Sequence, residues 1–235
     1  MTLRTAPYQL LRLALGLAAV MGAPSATAQD TRELIGSYLR AFAEPAIGEV
    51  AGRAYTDPAR PSAPDVPLEG VSVLIFPYSV PFESQIDGVK EHWRDSLTTY
   101  MAAVGDVTAA RTAYEESLVW AGGGQLVRGE VSDAKGMVKL AGVPAGEWLL
   151  LAWRDEPHPS RAAKLRPQET KGFTEIPVSA GYSLVTFWWR RIQVRAGETT
   201  SVEFNDRNTW LTGIRENVLM MRAPVRSPTP QNRRR

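Results

Sequence analysis

The chain has 235 residues, 44% of them hydrophobic and 9% aromatic, with 27 Lys and Arg against 25 Asp and Glu. That composition excludes disorder or a fibrous repeat for most of its length. Cysteine is absent and histidine occurs twice, at His92 and His158, which excludes disulfides, zinc ribbons, iron–sulfur clusters, a thiol nucleophile and a three-histidine metal centre within one chain.

The first 28 residues read as a secretory signal. Arg4 and Arg12 give a positive start, Leu13 to Met21 is an uncharged apolar run, Gly22 and Pro24 break it, and Ala26-Thr27-Ala28 places small residues where a signal peptidase reads them. Nine apolar residues are too few for a membrane span, which needs about 20. No cysteine follows to carry a lipid, and no paired arginines precede the run. The expected product begins at Gln29, in the periplasm or outside the cell, with no stable membrane insertion. Without the leader and the tail from Arg222, which holds five arginines and no acid, residues 29–221 carry 20 basic and 25 acidic side chains, a net −5. The overall pI near 9.0 therefore comes from the ends, and no nucleic-acid partner is expected.

Asp30-Thr31-Arg32-Glu33 has the form of a capping box, and Leu34, Ile35, Tyr38, Leu39 and Phe42 follow at helical spacing. This predicts an amphipathic helix within 29–48, ended near Pro45. Residues 49–56 alternate as a strand, 57–67 hold four prolines and read as a loop, and Val71–Tyr78 is a strong strand that ends at an edge or bulge because Pro77 has no N–H. The period then changes. Ile86, Val89, Trp93, Leu97, Tyr100, Met101 and Val104, continued by Val107, Ala110, Tyr114 and Leu118, predict a helical insertion over about 82–121, broken at Gly105-Asp106 and ended by Gly122-Gly123-Gly124. Strands return at 125–132, 137–143, 147–154, 173–178, 184–194 and 199–205. They are punctuated by a turn at Asp133–Gly136, another at Pro144-Ala145-Gly146, a long polar loop at 155–172 and a hairpin turn at Ala196-Gly197-Glu198. The tail, 222–235, reads as disordered.

These segments predict a mainly β fold over 49–221, an antiparallel Greek-key β-sandwich of about seven strands, with an N-terminal helix and a helical insertion between strands. Its turn chemistry resembles that of the carboxypeptidase regulatory-like (transthyretin-like) domain. Asp133 and Gly136 match that family's Asp-x-x-Gly turn. Val143, Pro144 and Gly146 match its second turn, with Trp148 where tyrosine is usual. Pro67–Val73 and Val194–Thr200 resemble its opening strand and its closing Ala-Gly-Glu-Thr-Thr segment. The resemblance covers roughly 49–205 and departs at 81–124, where the helical insertion replaces a short connection. It implies a seven-stranded Greek-key sandwich of the kind that serves as a non-catalytic accessory, adhesion or binding module.

No catalytic constellation emerges. His92 and His158 lie 66 residues apart with no zinc-peptidase spacing, and no Gly-x-Ser-x-Gly elbow is present. The Gly122–Gly124 run lacks the lysine of a phosphate loop, and 49–56 lacks a lysine for an isopeptide crosslink. The chain does not end in the Tyr-Arg-Gly-Ser that a transthyretin-like hydroxyisourate hydrolase would imply. No cofactor, metal or catalytic residue is therefore expected; a hydrolase using Glu130 or Asp133 is the weakest alternative. Binding features stand out more. Seven tryptophans include the adjacent Trp188 and Trp189, whose side chains must face opposite sides of a strand. One must point outward or be covered by the insertion, and an exposed ring, or that of Trp210, could stack on a sugar. Arg154, His158, Arg161, Lys164 and Arg166 cluster at the long loop and could hold an anionic glycan. The expectation is an exported, non-enzymatic sandwich that binds a protein partner or a cell-envelope polymer, with a tryptophan-based carbohydrate-binding protein as the alternative.

Overall fold

A computed structural model describes residues 26–58, 60, 62–160 and 174–222. The expected leader up to Pro24, the basic residues Arg161, Lys164 and Arg166, and the tail from 223 lie outside the described residues. The elements run in order: α1 (Ala26–Ala43), β1 (Ile47–Thr56), β2 (Val66–Pro67), β3 (Ser72–Pro77), α2 (Val80–His92), α3 (Leu97–Trp120), β4 (Arg128–Val131), β5 (Met137–Pro144), β6 (Gly146–Pro159), β7 (Glu175–Val194), β8 (Thr199–Phe204) and β9 (Leu211–Arg222).

Two sheets form the sandwich. In the first, β1 is central: it pairs antiparallel with β5 over Ile47–Arg53, parallel with β8 over Glu49–Ala54, and with the short β2 at Tyr55 and Thr56. The second has five strands in the order β4-β3-β6-β7-β9, all antiparallel. Strand alternation divides the second sheet's side chains. Val73, Ile75, Trp148, Leu150, Ala152, Trp188 and Ile192 share one face, where Trp188 meets Phe204 of β8 at 6.0 Å. Phe76, Leu149, Leu151, Phe187 and Trp189 share the other, where Phe76 meets Phe82 of α2 and Tyr114 of α3. Burial on both faces explains why 148–153 reads as an unbroken apolar run.

The helical insertion is the third layer. Phe82 and Ile86 of α2, and Ala103, Val104, Val107, Ala110, Tyr114 and Leu118 of α3, are buried against the outer face of the second sheet. One close approach is at Gly213 of β9, where a β-carbon would stand 2.6 Å from Val104. Helix α1 closes one end of the sandwich: Ile35 and Tyr38 are buried, and the Tyr38 ring packs edge-on against Trp148 at 5.1 Å. The Tyr38 hydroxyl donates to the Glu147 carbonyl and accepts from the Tyr78 amide, so one side chain ties α1 to both β3 and β6.

Several sequence expectations change. Helix α1 is already running at Ala26, so Asp30 lies inside it rather than at its cap. The insertion breaks at residues 93–96, not at Gly105-Asp106. Ser96 caps α3 with a full capping box to Thr99, and Gly105 sits mid-helix with open space around it. The end of α3 is as expected: Gly122, at φ 86°, and Gly123 send their amides back to Val119 and Leu118, the Schellman pattern that terminates a helix. The strand expected at 125–132 shortens to β4 behind a 3₁₀ turn at Gly124–Leu126. The turns at Asp133–Gly136 and Ala196–Glu198 do not fold one strand back on its neighbour; each crosses from one sheet to the other, as Pro144–Gly146 also does. The first residues of the expected loop at 155–172 belong to β6, which continues to Pro159, while 161–172 lie outside the described residues; β7 is one bulged strand rather than two. Strand β9, unforeseen in the sequence, completes the second sheet.

Candidate functional site

The tryptophans singled out as sugar platforms all pack on the core. Trp188 is 4% exposed between the sheets, and its indole N–H donates to the Asn205 carbonyl at 2.8 Å, so no ring face is open to a ligand. Trp189 points the other way and is covered by the insertion: Phe82 packs edge-on against it at 5.6 Å and Trp210 lies 6.4 Å away. The Lys90 ammonium sits over both Trp210 and Trp93 and donates to the Trp210 carbonyl. Burial, then the nearby Arg94, holds the Lys90 amine below the usual lysine range. Trp210 is half-buried, so these rings fasten α2 to the sheet.

Arg154 and His158 belong to strand β6 and not to a loop, and they share a face by their even spacing. His158 stacks on Tyr182, its partner across the ladder, at 5.0 Å, and Arg154 pairs with Glu156 at 3.7 Å. His92 ends α2 beside Asp95, 2.9 Å away. The Asp133 carboxylate is engaged by its own turn, accepting the amides of Lys135 and Met137 at 2.8 Å each. Among the described residues, no three His, Cys, Asp or Glu side chains gather as a metal site would require. The remaining fold-specifying turn residues act on the backbone. Gly136 and Gly197 take φ near +73°, Pro144 offers its carbonyl to the Trp148 indole, and Gly146 lies where a β-carbon would meet the Tyr38 ring at 2.8 Å.

A concavity lies elsewhere, a groove of about 840 Å³ between α1 and the insertion. Thr31, Arg32 and Leu34 of α1 form one wall. Val80, Pro81, Phe82 and Gln85 of α2 and Ala113, Tyr114, Ser117 and Trp120 of α3 form the rest, with Tyr78 and Ser79 at the end of β3. Its floor is rigid. The Tyr114 and Phe82 rings stack at 4.4 Å and 22°, and the Tyr114 hydroxyl donates to the Pro77 carbonyl at 2.8 Å. Burial raises the Tyr114 phenol above its ordinary value, so it remains a neutral donor. Tyr78 is held on both sides, by a hydrogen bond from its hydroxyl to Glu83 at 2.8 Å and by the Arg191 guanidinium 3.9 Å over its ring. Arg191 is itself fixed by Glu147, which accepts two bonds at 2.7 and 2.8 Å. At the mouth stands Trp120, 85% exposed, next to an exposed Val119.

Sequence reading located the insertion but not this groove. The available signal was Trp120 itself, a large aromatic that falls off the buried stripe of α3 at the helix's last residue. The opposing wall could not be read, because nothing local tells where α1 docks.

No family model matches the sequence, and no curated protein matches it either. Among solved structures, a Pseudomonas aeruginosa protein described as a "putative carbohydrate binding protein" is similar at TM-score 0.36 and 12% identity, covering 68% of this chain and 88% of that one. The pilus backbone of Streptococcus pneumoniae is similar at TM-score 0.25 and 15% identity, covering 67% of this chain and 40% of that one. A full-length form of the same major pilin gives TM-score 0.25 and 13% identity over 67% of this chain and 30% of its own.

Proposed function

We propose that the chain is an exported, non-catalytic binding module of carboxypeptidase regulatory-like descent, released from its leader after Ala28, that holds an apolar segment of a partner protein between α1 and the insertion. The observation that carries this reading is the groove: about 840 Å³, floored by Phe82 and Tyr114 and fronted by Trp120. Concave, largely apolar sites with a few placed polar groups are where ligands bind. Exposed tryptophans in such settings act as anchors for partners. Arg32, Gln85 and Ser117 supply the polar rim. For export the support is the leader's charge, length and small-residue site.

A peptide library displayed on phage, selected on the purified protein, tests the reading. The expected result is a consensus with aromatic or branched apolar anchors. Its affinity should fall about tenfold or more with Trp120→Ala, the usual scale of a hot-spot loss. It should disappear with Ser117→Trp, which fills the groove. Selected peptides that ignore both changes would overturn the reading. Glycan-array binding lost with Trp120→Ala would instead favour a cell-envelope polymer as ligand, because an indole at a polar rim is also a surface for sugar stacking.

A further inference from the structure

The edges of the two sheets are not protected equally. Strand β4 has four residues, β2 ends at a proline, the exposed positions of β8 are Thr199, Ser201 and Glu203, and β5 carries Lys139 and a glycine at positive φ. These are the devices by which natural sheets discourage pairing. Strand β9 itself carries none over residues 217–221. It is 12 residues long, β7 pairs with one side, and no strand of the described residues pairs with the other. Val218, Leu219, Met220 and Met221 are consecutive and all about half exposed, so both faces of this stretch are apolar and open. Its inner side is locked to β7, where Asn217 and Ser183 exchange side-chain hydrogen bonds at 3.1 and 3.3 Å. Among the described residues the outer backbone edge is left to pair.

Charge selects the occupant. Reading the strand antiparallel against itself about Leu219 places Leu219 opposite Leu219, Val218 opposite Met220 and Asn217 opposite Met221. The same register sets Glu216 opposite Arg222 at both ends. Opposite charges directly across an antiparallel pair stabilise it, and apolar pairs between them do the same. A two-fold axis presents the same patch twice, so a copy of this strand meets both requirements with itself. We propose that β9 pairs with β9 of a second copy about an axis at Leu219, joining the two five-stranded sheets into one. This surface is separate from the groove, so neither reading depends on the other.

Sedimentation of the purified protein over a concentration series tests this. A monomer–dimer equilibrium is expected, and Leu219→Lys should abolish it while leaving the circular dichroism unchanged, since Leu219 is exposed in the single chain. Glu216→Arg alone and Arg222→Glu alone should each weaken the dimer about tenfold, because each turns two attractive cross-strand pairs repulsive. The double reversal should restore it. Three results would each overturn the proposal: a monomer at every concentration, a dimer that Leu219→Lys leaves intact, or a double reversal no better than the singles. Slow amide exchange at 218–221 in a monomer would show instead that the chain's own segments cover this edge.

Discussion

Gly136 and Gly197 form a matched pair at the scale of single residues. Both hold φ near +73°, the left-handed region that side chains avoid. Around Gly197 there is open space, but a β-carbon on Gly136 would stand 2.1 Å from the Ala54 carbonyl oxygen, where the turn crosses to the first sheet. Gly197→Ala should therefore cost only the backbone term, about 1–2 kcal/mol, whereas Gly136→Ala should cost at least about 2 kcal/mol more. Urea unfolding of the two variants checks the difference; equal losses would mean that the close approach at Ala54 relaxes freely. Such turn residues were legible in the sequence because their requirement is local. The requirement at Gly52, where a β-carbon would meet Val138 at 2.3 Å and Phe204 at 2.8 Å, was not, since both neighbours are distant in sequence.

Elements show the same division. The helical period of the insertion was plain, but its break was misplaced, because glycine is a weak breaker where nothing packs against it and a capping box is a strong start signal. Gly105→Ala should thus stabilise the protein by about 0.5–1 kcal/mol, and Ser96→Ala should destabilise it by about 1 kcal/mol. Thermal melts of both decide the matter. If Gly105→Ala destabilises instead, α3 is not continuous there. Prolines misled the strand reading in a comparable way. Pro157 and Pro159 suggested a loop, yet β6 runs through them because its pairing with β3 stops at Trp153, and beyond that point it has β7 as its partner on one side. A residue without an N–H is tolerated at such an edge. The surroundings of the tryptophans were hidden for a different reason. Strand alternation correctly put Trp188 and Trp189 on opposite faces, but whether a face is solvent or a third layer depends on where the insertion lands.

For the molecule as a whole, the decisive strand is β1. The second sheet and its helices assemble largely from neighbours in sequence: β6 with β7, β7 with β9, α2 with α3. By contrast, β1 must meet β5, with Val50 opposite Leu140, and β8, with Gly52 opposite Val202, so its parallel seam closes about 150 residues of chain. Loop closure of that size is paid before any contact rewards it, so the seam should form after the rate-limiting step. Val202 is buried in the seam, and Val202→Ala should destabilise by about 2 kcal/mol. Nearly all of that loss should appear as unfolding about thirtyfold faster, with refolding almost unchanged. Leu150→Ala, in the strand shared by β3 and β7, should instead slow refolding. Stopped-flow chevrons of the two variants separate the possibilities. A Val202→Ala variant that refolds as slowly as Leu150→Ala would mean that both sheets condense together, with the first sheet already closed at the transition state.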